Sequence, residues 1–488
     1  MAKRSVNRFG ATLALVKAGD ITATLEPHQQ RIVDRAQTQN LLVAHGLGSG
    51  KGISSIAAAD SLGQPAEFFT PAPLTQNIEK EIKKHTGKGF VPHTVHSVPT
   101  AAKQHYQIPQ GSTMVVDEAH LARNPGTDRS QYLKEQAQRA GRLILLTGTP
   151  TYNQPENLAP LINMVAGKQV LPENPAEFRN KFIDEKKIDP GIIGRILGVQ
   201  PGTRLQLKNR QQLVEALRGR IDTFQSTRNM PSREDKDVIV PMSPEQQNVY
   251  RYIEGDVPNS LRLKIHMNLP PSKQEAQQLN AFSAGLRQSS NTPGPYVSGM
   301  TPLQAAEASP KMMSAFSSVA EKMKNDPNFK GVIYSNYMDA GVTPMAALLK
   351  AHGIPHAIFH GQLTQDEKKQ IVKDYNQGNI RVLLGTSAAS EGLDLKGTKL
   401  IQILEPHFND SKIEQVIGRG IRFGSHTHLP PEERKVQVER YYSKPTQGFW
   451  DRLLMGPESG TDQYIRERAL EKKRLEDQIK SVFEEAQR

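Results

Sequence analysis

A glycine-rich loop followed by a lysine, HGLGSGKGISS at residues 45–55, is the first stretch of the sequence that could do chemistry. Glycines let the backbone turn tightly enough for its N–H groups to surround phosphate oxygens, and a lysine adds a positive charge. The helical pattern that follows would point its N-terminus at the same anion. The stretch therefore predicts a nucleotide phosphate site made of Gly48, Ser49, Gly50, Lys51 and Gly52.

Gly52 departs from the usual form of such a loop, in which Ser or Thr follows the lysine because its hydroxyl binds Mg²⁺. Ser54 is a poor replacement, because two positions along a helix turn the side chain by about 200°. Mg²⁺ retains water readily, so a water can take the place of the hydroxyl. We expect weaker metal binding and slower turnover with activity retained, and the alternative is a loop that has lost catalysis.

A pair of acidic residues, Asp117 and Glu118, follows the apolar run in STMVVDEAH. Asp117 is suited to hold Mg²⁺ through water, and Glu118 is suited to polarise an attacking water. The alternative is an acidic pair at the end of an ordinary strand. Its position downstream of a phosphate loop, after an apolar strand, favours the catalytic interpretation.

Two polar motifs elsewhere suit the same chemistry. Gln29 carries a carboxamide, which donates and accepts hydrogen bonds at once and so suits an adenine edge. Arg419 and Arg422 follow Gln415 in QVIGRGIR and share one helical face. A guanidinium placed on the developing charge of phosphoryl transfer contributes about 10³–10⁵ in rate. The alternative for the arginines is a solvated surface pair.

Short apolar runs in two regions would position these residues. They are NLLVAHG (40–46), EFFTPAP (67–73), STMVVDEAH (112–120), RLILLTGTP (142–150), KGVIYSNY (330–337), HAIFHG (356–361), IRVLLGTS (380–387) and KLIQILEP (399–406). Each run is bounded by Gly, Pro or polar residues, which is typical of buried parallel strands. In such sheets the carboxyl ends of the strands carry the ligand site.

These patterns predict an α/β fold with a long helix at the C-terminal end. In that helix, residues 461–488, we expect Thr461 or Asp462 to cap the start. An apolar stripe would pack against the second α/β region. The predicted division is a nucleotide-binding domain at 1–185, a helical insertion at 186–305, a second α/β domain at 306–445 and a helical brace at 446–488.

The net charge of +12 predicts a polyanionic partner, most simply nucleic acid, although many soluble proteins are basic without one. The absence of cysteine excludes disulfides and thiolate metal sites. No run of about 18 apolar residues predicts a membrane span. The apolar stretch TLALV is shorter than the roughly 7–15 residues of a signal peptide core. We expect a cytoplasmic protein.

Taken together, the motifs resemble those of superfamily 2 helicases and translocases, and most closely those of the Snf-type ATPases. The resemblance rests on LEPHQQ, HGLGSGKG, PAPLTQNIEKEI, DEAH, LTGTPTYNQPENL, PMSPEQQNVYRYI, LRQSSN, IYSNY, GTSAASEGLDL and QVIGRGIR, in that order. The stretch from GRGIR to RYY also resembles helicase-like ATPases of large DNA viruses. The match runs from about residue 20 to 445, and the order and spacing of the motifs make it specific.

The resemblance implies two RecA-like P-loop domains in tandem, with a helical insertion and a C-terminal helix. It implies a DNA-stimulated ATPase that uses ATP and Mg²⁺ and tracks along double-stranded DNA, with single-stranded DNA or RNA as other partners. It also implies a bacterial cell or a virus-infected host cell as the location. Strand separation and an ATP-gated DNA clamp with weak catalysis are the alternative functions. No wedge hairpin is identified in the sequence, which favours translocation.

The resemblance also implies roles for individual residues. Gln29 would contact adenine, and Gln415 would contribute to the nucleotide site. The coupling residues would be His120, Thr147, Thr149, Glu391, Gly392 and Asp394. Arg419 and Arg422 would be arginine fingers. A zinc site is a separate hypothesis, because four histidines cluster along the chain, at His85, His93, His96 and His105.

Overall fold

The computed structural model describes residues 24–46, 48–85, 92–148, 154–224, 230–386, 394–408, 410–421, 424–448 and 458–488. Side chains 193, 273, 410–412 and 419 are outside this description. The chain forms two compact units. The first unit comprises Met1–Phe182, Lys208–Ser226 and Gln478–Arg488, and the second comprises Ile183–Leu207 and Thr227–Asp477.

The strands of the described residues are short. They are β1 (Leu41–His45), β2 (Ala66–Thr70), β3 (Thr94–Ser97), β4 (Thr113–Val116), β5 (Arg142–Thr147), β6 (Ile183–Ile188), β7 (Gly202–Leu207), β8 (Ile221–Phe224), β9 (Ser232–Pro241), β10 (Gly331–Tyr334), β11 (His356–Phe359), β12 (Val382–Gly385), β13 (Leu400–Ile403) and β14 (Lys435–Lys444). All eight strands predicted from the apolar runs are present among them.

Helices connect most of these strands. They are α1 (Pro27–Ala36), α2 (Lys51–Ser61), α3 (Thr75–His85), α4 (Val98–Lys103), α5 (Asp128–Arg139), α6 (Leu158–Ala166), α7 (Pro175–Phe182), α8 (Gly191–Ile196), α9 (Arg210–Leu217), α10 (Pro244–Glu254), α11 (Asn259–His266), α12 (Lys273–Asn291), α13 (Pro302–Glu307), α14 (Pro310–Asn325), α15 (Thr343–Ala351), α16 (Gln365–Gln377), α17 (Asp410–Gly420) and α18 (Thr461–Gln487). No helix of the described residues is both long and apolar enough to cross a membrane.

The first unit is built on a six-stranded sheet in the order β3-β2-β4-β5-β1-β8, with every neighbouring pair parallel. β1, β2 and β4 are buried along their whole length, as strands of a parallel sheet covered on both faces must be. Leu41 and Val43 belong to a core cluster with residues of α1, α2 and α3. Leu42 is also buried and points to the opposite face by alternation.

The second unit contains a similar sheet in the order β11-β12-β10-β13-β14-β9, again with all neighbours parallel. Successive residues of β10 belong to different core clusters, because Ile333 lies in one and Val332 and Tyr334 lie in the other. The sheet therefore has a packed core on each face. The predicted fold class, α/β with parallel sheets and helical segments, is confirmed.

The middle of the chain is less purely helical than expected. It contains helices such as α10 and α12, and also β8, which joins the first sheet, and β9, which pairs with β14 over ten residues. Residues 186–305 thus contribute strands to both sheets. The four-part domain division stays a prediction.

β6 and β7 form an antiparallel hairpin with α8 at its tip, and this hairpin was not predicted from the sequence. Ile192 is 77% exposed and Ile196 is 79% exposed at that tip. Arg204 of β7 donates to a carboxylate oxygen of Glu471 at 2.8 Å, which holds the hairpin within the second unit.

The C-terminal helix α18 is continuous, as predicted, but its first residues do not act as the expected caps. The Thr461 hydroxyl bonds to that of Tyr250 at 2.7 Å. The Asp462 carboxylate accepts from Lys311 Nζ and from the Ser443 N–H. The apolar stripe is predicted to pack against the second α/β region. The helix residues up to Asp477 group with the second unit, and those from Gln478 group with the first.

Candidate active site

Three neighbouring strands of the first sheet end at the candidate site. β1 leads into the glycine-rich loop, β4 leads into Asp117 and Glu118, and β5 ends at Thr147. β5 lies between β4 and β1, with Val116 opposite Leu145 and Ala44 opposite Thr147. Because these strands are parallel, their carboxyl ends share one edge of the sheet, where doubly wound folds bind ligands. The first unit therefore brings the predicted loop and the predicted acidic pair together.

The loop has the geometry of a phosphate cradle. Gly48 and Gly50 have φ values of 75° and 74°, in the left-handed region that favours glycine. Lys51 begins α2, and its Nζ donates to the carbonyl oxygens of His45 at 2.9 Å and Gly46 at 3.2 Å. Burial lowers the pKa of Lys51, against the charges of Glu118 and Asp117, which raise it. A cation is thus held at the helix N-terminus, beside two carboxylates.

Two side chains brace the loop from α1. The Gln29 Nε2 donates to the Ser49 carbonyl oxygen at 3.3 Å, and its Oε1 accepts from the Glu26 N–H at 2.8 Å. The His28 Nε2 lies 2.8 Å from the same Ser49 oxygen. A β-carbon on Gly50 would overlap with the Gln29 Nε2. In this structure Gln29 is therefore buried against the phosphate loop, and its contact with adenine stays a prediction.

The space beside Gly52 is occupied by the side chain of Glu81, and two serines follow Gly52 in α2. The hydroxyl of Ser54 donates to the Gly50 carbonyl at 2.9 Å, and that of Ser55 donates to the Gly52 carbonyl at 2.8 Å. Both serines are fully buried, and that Ser54 does not replace the missing hydroxyl stays a prediction. A β-carbon built on Gly52 would overlap with Glu81 Oε2 and would lie 3.2 Å from Glu81 Cδ.

The acidic pair is held in two different electrostatic environments. Burial, with the charges of Glu118 and Glu81, raises the pKa of Asp117 to about 6. Burial also raises the pKa of Glu118, but the hydrogen bond and charge of His120 outweigh it and the pKa is lowered. The His120 Nδ1 lies 3.1 Å from Glu118 Oε2. Glu118 is therefore an ionised carboxylate at neutral pH, as a group that accepts a proton from water must be.

Asp222, which was not predicted from the sequence, has a buried carboxylate that lies behind the loop. It accepts from Arg31 Nε at 2.8 Å, from Arg35 Nη1 at 2.8 Å and from His45 Nε2 at 2.7 Å. His28 also stacks on Phe224 with ring centroids 3.6 Å apart. This network joins α1, β1 and β8, and it fixes the residue whose carbonyl holds Lys51. No local motif signals it, because the partners are almost 200 residues apart.

Of the remaining predicted residues, Thr147 lies in the first unit, and Gln415 and Asp394 lie in the second. Gln415 is a half-buried residue of α17, and the backbone of Asp394 accepts from Asn376 Nδ2 at 3.0 Å. Thr147 is fully buried at the end of β5. The side chain of Arg419 is outside the described side chains. Arg422, Thr149, Glu391 and Gly392 are outside the described residues. Their roles stay predictions.

The four histidines do not form a metal site among the described residues. The His93 Nδ1 accepts from the Ala66 N–H, and the His96 Nε2 contacts Glu67 Oε2. The cluster of potential ligands that the described residues do contain is Glu254, His266 and Glu458. Its two carboxylates are bound by the guanidinium of Arg251, so it is an ion-pair network already supplied with a cation.

The donor set at the phosphate loop fits ATP with Mg²⁺. Mg²⁺ prefers oxygen ligands, keeps several waters and is held by one or two carboxylates together with substrate phosphates. Asp117 offers such a carboxylate at the edge of the sheet, and the space that a β-carbon on Gly52 would fill is lined by carboxylate oxygens. Lys51 and the positive-φ glycines supply the complement for phosphate.

Two family models match the chain. The SNF2-related domain matches residues 75–295, and the helicase conserved C-terminal domain matches residues 314–424. The crystal structure of the Hef helicase domain of Pyrococcus furiosus is similar in fold, with a TM-score of 0.53 and 17% identity, over 86% of this chain and 95% of that chain.

Viral proteins are similar over most of the sequence. The chain is 31% identical to the putative ATP-dependent RNA helicase L538 of Acanthamoeba polyphaga mimivirus, over 86% of this chain and 89% of the relative. It is 24% identical to a termination factor NPH-I homolog of African swine fever virus, isolate Tick/Malawi, over 92% of this chain and 76% of the relative. The chain belongs to the Snf2-type family of superfamily 2 helicases and translocases.

Proposed function

We propose that this chain, as an ATP hydrolase and nucleic-acid-dependent motor of the Snf2-type family, translocates along double-stranded DNA without reading its sequence. The observation that carries the proposal is the convergence of the phosphate loop, Asp117 and Glu118 at one edge of a parallel sheet. The charges of Glu118 and Asp117 act on Lys51, and the pKa of Glu118 is lowered from its ordinary value.

The hydrolytic step follows from the side chains of the first unit. Lys51 is released from the carbonyl oxygens of His45 and Gly46 to neutralise the phosphates. Glu118 accepts the proton of the attacking water, since its carboxylate is ionised and bonded to His120. Asp117 would hold Mg²⁺, which, when bound, stabilises the charge on the phosphate oxygens. Arg419 and Arg422 are proposed to assist from the second unit.

The charge of the chain favours a nucleic acid as the track. A net charge of +12 makes a salt-sensitive affinity for phosphates the expected mode of binding. Contacts to the sugar–phosphate backbone fix position and carry no sequence information directly, which is what a motor that moves along any sequence requires. The names of the viral relatives include RNA helicase and termination factor, so RNA is the alternative track to be tested.

The deciding experiment compares ATP hydrolysis with double-stranded DNA, single-stranded DNA and RNA at equal nucleotide concentration. The control is Lys51→Ala, which removes the loop cation. We expect the largest stimulation with double-stranded DNA and a loss of at least about a hundredfold in Lys51→Ala. A parent rate equal to that of Lys51→Ala would mean that the chain is not a motor and is at most a nucleotide-gated clamp.

Movement is measured separately from hydrolysis. Displacement of a third strand from a DNA triplex requires translocation, whereas a clamp changes only its affinity with the nucleotide state. The proposal expects ATP-dependent displacement by the parent and none by Glu118→Gln, which keeps the shape of the side chain but removes the proton acceptor. Nucleotide-dependent binding without displacement would support the clamp.

Strand separation is the second candidate, and the hairpin of β6 and β7 favours it. Its tip exposes Ile192 and Ile196, apolar side chains that can wedge between base pairs. The test is unwinding of a tailed duplex by the parent and by Ile192→Ser with Ile196→Ser. Unwinding that depends on these residues would favour the helicase, whereas triplex displacement without unwinding would favour the translocase.

A further inference from the structure

A glutamate from α3 occupies the position beside Gly52. A β-carbon on Gly52 would overlap with Glu81 Oε2 and lie 3.7 Å from Glu81 Oε1, so the carboxylate stands where a serine or threonine side chain would begin. Helix α3 is fixed beneath it, because Ile78 and Ile82 are buried in the same core cluster as Ile56 of α2. The backbone position of Glu81 therefore follows from the packing of its helix.

No other side chain at the start of α2 offers an oxygen to a metal. The hydroxyls of Ser54 and Ser55 are both donated to carbonyls of their own helix and are fully buried. Glu81, in contrast, is exposed and makes no ion pair within the described part of the chain. Its charge reaches the metal-holding residue, since it is one of the charges acting on Asp117.

We propose that Glu81 replaces the missing hydroxyl at position 52 and supplies the protein oxygen on that side of Mg²⁺·ATP. The inference rests on the proposed function, because it assigns a positioning residue to the same nucleotide site. Carboxylate oxygens are the ligands that Mg²⁺ takes most readily, so the exchange conserves the oxygen while moving its source from α2 to α3. It also explains Gly52, since any β-carbon there would compete with Glu81 for space.

The exchange has an electrostatic consequence. A hydroxyl is neutral, whereas Glu81 adds a negative charge beside Asp117 and opposite the ATP phosphates. Without metal this charge opposes phosphate binding, and with Mg²⁺ it attracts the cation. Nucleotide binding should therefore depend on Mg²⁺ more steeply than in a site with a hydroxyl.

The test is binding of Mn²⁺, as a paramagnetic substitute for Mg²⁺, followed by electron paramagnetic resonance in the presence of a non-hydrolysable ATP analogue. The variants are Glu81→Ala, Gly52→Thr and both together. The matched control is Glu79→Ala, an exposed glutamate on the same helix. We expect Glu81→Ala to weaken Mn²⁺ by about tenfold or more and Glu79→Ala to leave it unchanged.

The double variant distinguishes replacement from a general effect of charge. In the Glu81→Ala background, Gly52→Thr should recover about fivefold or more of the lost Mn²⁺ affinity, because the threonine then has both space and a role. In the presence of Glu81 the same change should gain less than about twofold. Equal gains in both backgrounds, or parental Mn²⁺ affinity in Glu81→Ala, would overturn the proposal.

A second readout separates this inference from the motor itself. Binding of the ATP analogue in excess chelator should be unchanged or tighter in Glu81→Ala, since a repulsive charge is gone. If the parent shows no DNA-stimulated hydrolysis above Lys51→Ala, the proposed function fails. The Mn²⁺ measurements still decide the role of Glu81 in that case, because they do not depend on turnover.

Discussion

Asp222→Asn tests whether the buried carboxylate behind the phosphate loop holds the first unit together. Asp222 is fully buried and accepts four hydrogen bonds of 2.7–2.8 Å from Arg31, Arg35 and His45. Removing one partner of a buried ion pair typically costs about 3–5 kcal/mol. The Arg31 side chain is 37% exposed and can reach water, so we expect the lower end, about 3 kcal/mol.

Asp235→Asn is the matched control. Asp235 also binds two arginines, Arg233 and Arg440, but its side chain is 44% exposed. An exposed carboxylate of this kind should contribute within about 1 kcal/mol. Hydrogen exchange in increasing urea, followed by mass spectrometry, reports on each unit separately, with β1 and β8 followed for Asp222→Asn and β9 and β14 followed for Asp235→Asn. A loss below about 1 kcal/mol in Asp222→Asn, or one equal to that of Asp235→Asn, would refute the reasoning.

The pH dependence adds an independent check. Burial alone would raise the pKa of Asp222, but hydrogen bonds from Arg31 and His45 hold it well below its usual range. A carboxyl with a depressed folded pKa contributes its stability above its unfolded pKa of about 3.9, and loses it as the pH falls toward the folded value. The difference between parent and Asp222→Asn should be constant from about pH 7 to about pH 5 and shrink below about pH 4.

Three further outcomes are expected. Asp117→Asn should stabilise the metal-free protein by about 1–2 kcal/mol at pH 7. The pKa of the Asp117 carboxyl is raised to about 6, so the protein loses stability as the pH rises through that value. Thermal unfolding at pH 4 and pH 7 checks this, and an equal effect of the substitution at both pH values would contradict it. Lys311→Met should cost about 3–5 kcal/mol in urea unfolding by stranding Asp462, and adding Asp462→Asn should restore at least half; no recovery would exclude the ion pair as the cause. Affinity for random double-stranded DNA should fall linearly in log–log form with salt and be independent of sequence, and a flat salt titration would count against phosphate contacts.

Much of the fold could be predicted because apolar runs and turn residues are local signals. All eight predicted strands form, and the phosphate loop and the acidic pair meet because parallel strands share one carboxyl edge. Two other strands, β8 and β9, were not predicted, for different reasons. β8 is four residues long, and β9 is an edge strand rich in charged residues that is held by backbone pairing with β14. Neither carries the apolar period that identifies a strand.

The contacts around the loop could not be predicted, because they depend on packing between distant parts of the chain. Asp222 and Glu81 are ordinary acidic residues in sequence, and their roles arise when β8 joins β1 and α3 packs on α2. The assignment of Gln29 shows the same limit. Its motif predicts a contact with the ligand. Its side chain also donates to the Ser49 carbonyl oxygen, and the spacing of the motif does not predict that contact.

The glycines of the loop differ in the physical reason why a side chain is unfavourable at each position. Gly48 needs a positive φ, which other residues adopt only at a cost. Gly50 needs the same φ and, in addition, leaves space for the Gln29 amide. Gly52 lies within α2, so its backbone does not require glycine, and what a β-carbon there would overlap with is the carboxylate of Glu81. In the role that we propose for Glu81, a departure from the motif at one position is compensated by a residue on another helix.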